Sequence, residues 1–152
     1  MRPAERSTEW TAWPFIGTWQ LVSFESRDES GAAQYPMGRD VLGQLMYDAQ
    51  GHMSALLAQS NVPPFASEDL HGGTDAELRA AFQGFFGYFG TYSFNLSEGT
   101  VMHHIRGATF PNWAGVDQLR FFKAQGEQLA LSAPPMRIEG RQVTTTLIWR
   151  RT

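Results

Sequence analysis

The sequence contains no cysteine. That one absence removes disulfides, thiolate metal sites and cysteine nucleophiles together. It also sets the chain apart from small secreted scaffolds that depend on cross-links. Charge is scarce as well: 18% of residues are Asp, Glu, Lys or Arg, against roughly 25% in an average globular chain. A net charge of −3 carries no basic excess of the kind that tracks phosphates, so nucleic acid is not an expected partner. No run approaches the ~18 apolar residues of a membrane span, and Met1–Ser7 lacks the apolar centre of a signal peptide. Phosphate-loop, dinucleotide-binding and nucleophile-elbow glycine patterns are all missing. The expectation is a cytoplasmic protein with no nucleic-acid or membrane partner, its oligomeric state left open.

What is present is aromatic. Five Trp, four Tyr and eleven Phe stand in 152 residues, a single-domain length that buries roughly two-thirds of its unfolded surface. Many rings with few charges suit a folded domain with a large apolar interior or cavity. Disorder is excluded on the same ground.

Residues 1–14 read as a polar lead-in carrying Trp10 and Trp13, and 15–152 as one domain. Strand-type runs follow one another: Ile16–Glu25, Val41–Tyr47, His52–Gln59, Thr91–Leu96, Thr100–Thr109, Val116–Lys123, Gln128–Ser132 and Val143–Arg151. On the first, Trp19, Leu21 and Ser23 share one face, and Gln20, Val22 and Phe24 the other. Asp48-Ala49-Gln50-Gly51 marks a hairpin. Thr74-Asp75-Ala76-Glu77 has the spacing of a helix capping box, and Leu78, Ala81, Phe82, Phe85 and Phe89 recur at helical intervals after it. One helix over about 75–88 is therefore expected, with the Asn61–Gly73 loop before it, as a lid or plug. The fold class is all-β: eight mostly up-and-down antiparallel strands closing into a barrel, which leaves no exposed edge.

Several segments, in order, resemble a known family. They include Gly17-Thr18-Trp19-Gln20-Leu21-Val22-Ser23, Tyr35-Pro36-Met37-Gly38 and Gly43-Gln44-Leu45-Met46-Tyr47. Gly51-His52-Met53-Ser54-Ala55, Pro63-Pro64-Phe65-Ala66-Ser67 and Gly90-Thr91-Tyr92 follow. His103-His104, Phe110-Pro111-Asn112-Trp113-Ala114-Gly115, Gln118-Leu119-Arg120 and Trp149-Arg150-Arg151 complete the set. Jointly they resemble the bacterial and fungal lipocalin-like domain family. The resemblance implies a small barrel with an apolar small-molecule cavity. It supplies no reaction, because barrels of this kind include carriers and enzymes.

His103 and His104 are adjacent, so on a regular strand they point to opposite faces and cannot share a metal. No metal site and no cofactor is expected. Two sets compete for the interior: Val101, His103, Ile105, Gly107 and Thr109, or Met102, His104, Arg106, Ala108 and Phe110. The first is more apolar, but a ligand-lined barrel can invert the usual order, and His104 beside Arg106 is taken as facing the cavity. An inward His is a candidate general acid or base, since its ordinary pKa lies near neutrality. Arg120 shares a face with Gln118 and is the candidate cation for a carboxylate, phenolate or enolate. Tyr92 joins His104 and Arg120 as a candidate catalytic residue, and Tyr47 and Tyr88 are candidate phenol donors. Met53, Phe65, Phe85, Phe110 and Trp113 complete the expected binding set. Trp19 is read as a plug for the closed end, with Arg150 or Arg151 across its ring.

The function expected is burial of a small hydrophobic molecule bearing a polar or anionic group. The alternative is an enzyme, an isomerase, cyclase or dehydratase acting on a polyketide- or terpenoid-like substrate in the same cavity. Haem held through one inward His is a third.

Overall fold

The computed structural model describes residues 10–152. Ten strands and one α-helix follow in chain order: β1 (Gly17–Arg27), β2 (Ala33–Gln34), β3 (Leu42–Tyr47), β4 (His52–Ala58), α1 (Asp75–Gln83) and β5 (Phe85–Asn95). Then come β6 (Thr100–Ala108), β7 (Asp117–Gln125), β8 (Gln128–Ser132), β9 (Met136–Ile138) and β10 (Arg141–Arg151). Eight of them, β1, β3, β4, β5, β6, β7, β8 and β10, form a closed antiparallel ring. The last strand returns to the first, Trp19 opposite Arg151 and Leu21 opposite Trp149, so the expected closure is present. Strands β2 and β9 are short additions on β1 and β10. Among the described residues no helix is long and apolar enough to cross a membrane.

Turn chemistry sets the register. The Asp48 carboxylate accepts from the backbone N–H of Gln50 (2.9 Å) and His52 (2.8 Å), which fixes the β3–β4 hairpin. Gly51 completes that turn at φ +92°, and a Cβ there would overlap the Trp10 indole. Only glycine meets both demands.

Two local features depart from simple periodicity. A bulge between Leu21 and Ser23 inserts one residue into β1 against β10. Beyond it the alternation reverses, so Phe24 turns to the interior although period-two counting assigns it outside. The helix is also shorter than expected. Its capping box is in place: Thr74 Oγ1 accepts from Glu77 N–H (3.2 Å) and Glu77 Oε1 from Thr74 N–H (2.9 Å). Yet α1 stops at Gln83 rather than near 88, and Phe85–Asn95 runs as one long strand. Phe85 and Phe89, four residues apart, fit the helical period but also the outer face of a strand. Pairing of seven residues with β4 decides for the strand.

The two ends of the barrel differ. One is packed with rings: Trp13 sits at its centre, 2% exposed, with Phe15, Tyr47, Tyr92, Phe94 and Phe122 all within 6 Å between ring centroids. Trp19 seals the same region, its indole N–H bonded to the Phe15 carbonyl (2.9 Å). The Arg151 guanidinium stands 4.3 Å from the Trp19 ring centre, and it also donates to the Ile16 carbonyl (2.8 Å). The other end is open. Helix α1, β9 and the turn at Pro111–Trp113 surround it.

Candidate functional site

Above the ring-filled end lies a cavity of about 350 Å³, within the range of small-molecule sites. Its walls come from inward positions on nearly every strand. Leu45, Ala55, Leu57, Leu131, Leu147 and Trp149 supply an apolar surface. Gln83 of α1, Phe110, Met136, Arg137 and Ile138 lie around its mouth. Among the described residues the lining contains two arginines and no Asp or Glu.

Four strands meet in a polar cluster on one wall. The His103 imidazole is buried, with the Tyr47 hydroxyl 2.7 Å from Nε2 and the Tyr88 hydroxyl 2.9 Å from Nδ1. Burial, helped by the nearby Arg120 charge, pushes the His103 pKa well below its ordinary value, so the ring is neutral. Burial likewise raises both tyrosines, and each keeps its proton. Arg120 completes the group. It is 8% exposed, donates to the Leu119 carbonyl (2.9 Å) and to Gln118 Oε1 (3.5 Å), and stands 5.5 Å from the Trp113 ring centre. Among the described residues it has no carboxylate partner. A cation in this cavity is therefore surrounded by rings, aliphatic groups and neutral dipoles.

The two histidines occupy the reverse of their expected places. His103 faces inward with Val101 and Ile105, the more apolar set, and His104 faces out. The apolar side of β6 went to the interior after all. On the outer surface His104 Nδ1 lies 2.8 Å from Asp117 and Nε2 lies 2.9 Å from Ser93 Oγ. The order hydroxyl, imidazole, carboxylate matches a nucleophile, base and orienting acid. But none of the three lines the cavity, and Ser93 lies within a regular strand on the sheet's outer face. Acyl transfer requires donors gathered around a developing oxyanion, and a regular strand engages its own amides in the ladder.

The structure brings together Arg120, Tyr88, Phe110 and Trp113 around the cavity. Tyr47 stands behind them, touching His103 but outside the lining. Gln118 holds Arg120 from the side. The other candidates lie elsewhere. Tyr92 is in the ring-packed end, where its hydroxyl donates to the Asp48 carbonyl (2.7 Å). Met53 is buried at the same level of β4, two residues from the hairpin and opposite Tyr47. Arg106 is exposed, on the same outward face of β6 as His104. Phe85 is 44% exposed on the outer face, and its neighbour Phe86 is the one that enters the cavity. Phe65 packs on Gly73 within its loop and does not reach the lining. The loop is nonetheless tied to the helix, since Glu77 Oε2 accepts from the Ala66 N–H (2.8 Å).

Sequence reasoning weighed His103 and set it aside for His104; residues it missed include Phe24, Thr145 and Trp149. The alternation Val143, Thr145, Leu147, Trp149 on β10 would have found the last two. The haem alternative required an inward imidazole with a free nitrogen, and both nitrogens of His103 face tyrosine hydroxyls.

A family model described as a lipocalin-like domain matches residues 16–152. No curated protein and no solved structure gives a match.

Proposed function

This chain belongs to the lipocalin-like domain family, and from that premise we propose that it binds one small hydrophobic molecule through an anionic oxygen group. The observation that carries this reading is Arg120, a buried cation with no carboxylate beside it among the described residues. Removing a charge from water costs several kcal/mol unless an opposite charge meets it. Leu119 and Gln118 offer dipoles only. An oxyanion on the ligand would supply the missing charge, and the aliphatic and aromatic walls would bury the remainder at about 25 cal/mol per Å². Arg137 at the mouth adds a second positive charge on the route in, although the chain as a whole carries −3.

A second reading has its own support. Tyr88 and Arg120 together form a pair able to steady charge developing on a carbonyl oxygen. The same cavity would then serve an isomerase, cyclase or dehydratase acting on a polyketide- or terpenoid-like substrate folded against its walls.

Displacement of an environment-sensitive fluorophore tests the binding reading. Hydrophobic carboxylates are expected to displace it at lower concentration than alcohols or amines of equal chain length. Equal potency across the three, or no displacement by any, would overturn it. Turnover of a candidate carbonyl substrate, abolished in Arg120→Met, would favour the enzyme.

A further inference from the structure

The polar cluster contains a direction as well as a charge. His103 is neutral and so holds one ring proton, yet a hydroxyl lies at each of its nitrogens. The hydroxyl at the bare nitrogen must donate, and the hydroxyl at the N–H must accept. Tyr47 is 2% exposed, lies outside the cavity lining, and has His103 as its hydroxyl's one hydrogen-bond partner among the described residues. Were Tyr47 the acceptor, its own proton would be buried with no partner, an arrangement that native interiors avoid. Tyr47 therefore donates to Nε2, and the ring proton sits on Nδ1.

The Tyr88 oxygen then accepts from Nδ1–H (2.9 Å). Its own proton is turned away from the imidazole, on a residue that lines the cavity together with Arg120.

We propose that Tyr47 and His103 form a one-way hydrogen-bond chain that fixes Tyr88 as a proton donor to the cavity, so that the ligand's anchoring group is a bare acceptor oxygen, a carboxylate, enolate or ketone. This rests on Arg120 holding the ligand's oxyanion. Tyr88 and Arg120 then present two donors to one group, an arrangement that an ammonium cannot use and a lone hydroxyl uses only in part. Tyr47 and His103 are positioning residues, and Tyr88 is the one that touches ligand.

Two measurements on the full chain test it. Long-range proton–nitrogen correlation spectra of 15N-histidine-labelled protein read the tautomer of His103 directly. The Nδ1–H form is expected in wild type and in Tyr88→Phe, with the Nε2–H form appearing in Tyr47→Phe, where Nε2 has lost its donor. Binding of dodecanoate, 2-tridecanone and dodecylamine by wild type and Tyr88→Phe gives the second readout, with unchanged circular dichroism as the control for folding. The variant should bind the acid and the ketone about five- to twentyfold more weakly, with the amine unaffected. An Nε2–H tautomer in wild type, or equal affinities in Tyr88→Phe while the acid still binds, would overturn the one-way chain and leave the Arg120 reading standing. Failure of the acid to bind wild type at all would overturn that reading and the ligand class with it.

Discussion

Replacing Arg120 by methionine should make the empty protein more stable and a poorer binder. The side chain is 8% exposed, and methionine has a similar reach without charge. Losing the bond to the Leu119 carbonyl removes about 1.5–3 kcal/mol, the usual worth of a hydrogen bond from a charged donor. The contact with the Trp113 ring adds about 0.5–1 kcal/mol to that loss. Against this, the cost of holding the guanidinium out of water, several kcal/mol, disappears. Burial of a thioether side chain contributes about 1.5–3 kcal/mol more. The balance favours the variant by about 1–3 kcal/mol, or about 3–8 °C in Tm for a domain of this size. Affinity for a hydrophobic acid should fall about ten- to a hundredfold, because a charge-assisted pairing is gone. Urea melts of empty protein and displacement titrations report the two effects separately. A variant that is less stable than wild type and binds the acid equally well would refute the reasoning, since Arg120 would then be a structural residue.

The remaining predictions concern the scaffold around that site. His103 is held neutral when folded, whereas its unfolded counterpart takes up a proton below about pH 6.5. Wild-type stability should therefore fall as pH drops below that value, by up to about 1.4 kcal/mol per pH unit, until the carboxylates begin to titrate. His103→Gln should lack this slope in denaturant melts between pH 7.5 and 5, and an identical slope in the two proteins would contradict the assignment. Trp13→Ala removes the ring that five others pack against, and a loss of about 3–5 kcal/mol is expected in urea melts. Thr74→Ala breaks the capping box and should lower protection of α1 amides in hydrogen exchange by about 1 kcal/mol. The ladder amides of the barrel should keep their wild-type protection.

Much of the barrel was legible because its signals are local. Alternation, the Asp48–Gly51 hairpin and the matching first and last strands each lie within a few residues. The short strands β2 and β9 carry no such pattern and depend on the longer strands they pair with. The helix was overextended because a phenylalanine every fourth residue satisfies both periods, and pairing with β4 is a non-local contact. The bulge at Val22 reversed Phe24 for the same reason, since the inserted residue is visible only against β10. The site itself was half legible. Arg120 stood out as a cation sharing a strand face with Gln118 and Phe122. The cluster at its side did not, because Tyr47, Tyr88 and His103 lie on three strands and meet only through the successive registers of β3, β4, β5 and β6 and the curvature of the closed sheet.

The stack of indoles and phenyl rings beneath the cavity makes this vessel a sack rather than a pipe. Whatever enters past Gln83 and Phe110 must leave by the same door. Arrival and departure are then mutually exclusive, and a second molecule must wait outside until the first has gone. Dwell time would then depend on the rim, where Gln83 of the helix stands, as well as on the grip of Arg120.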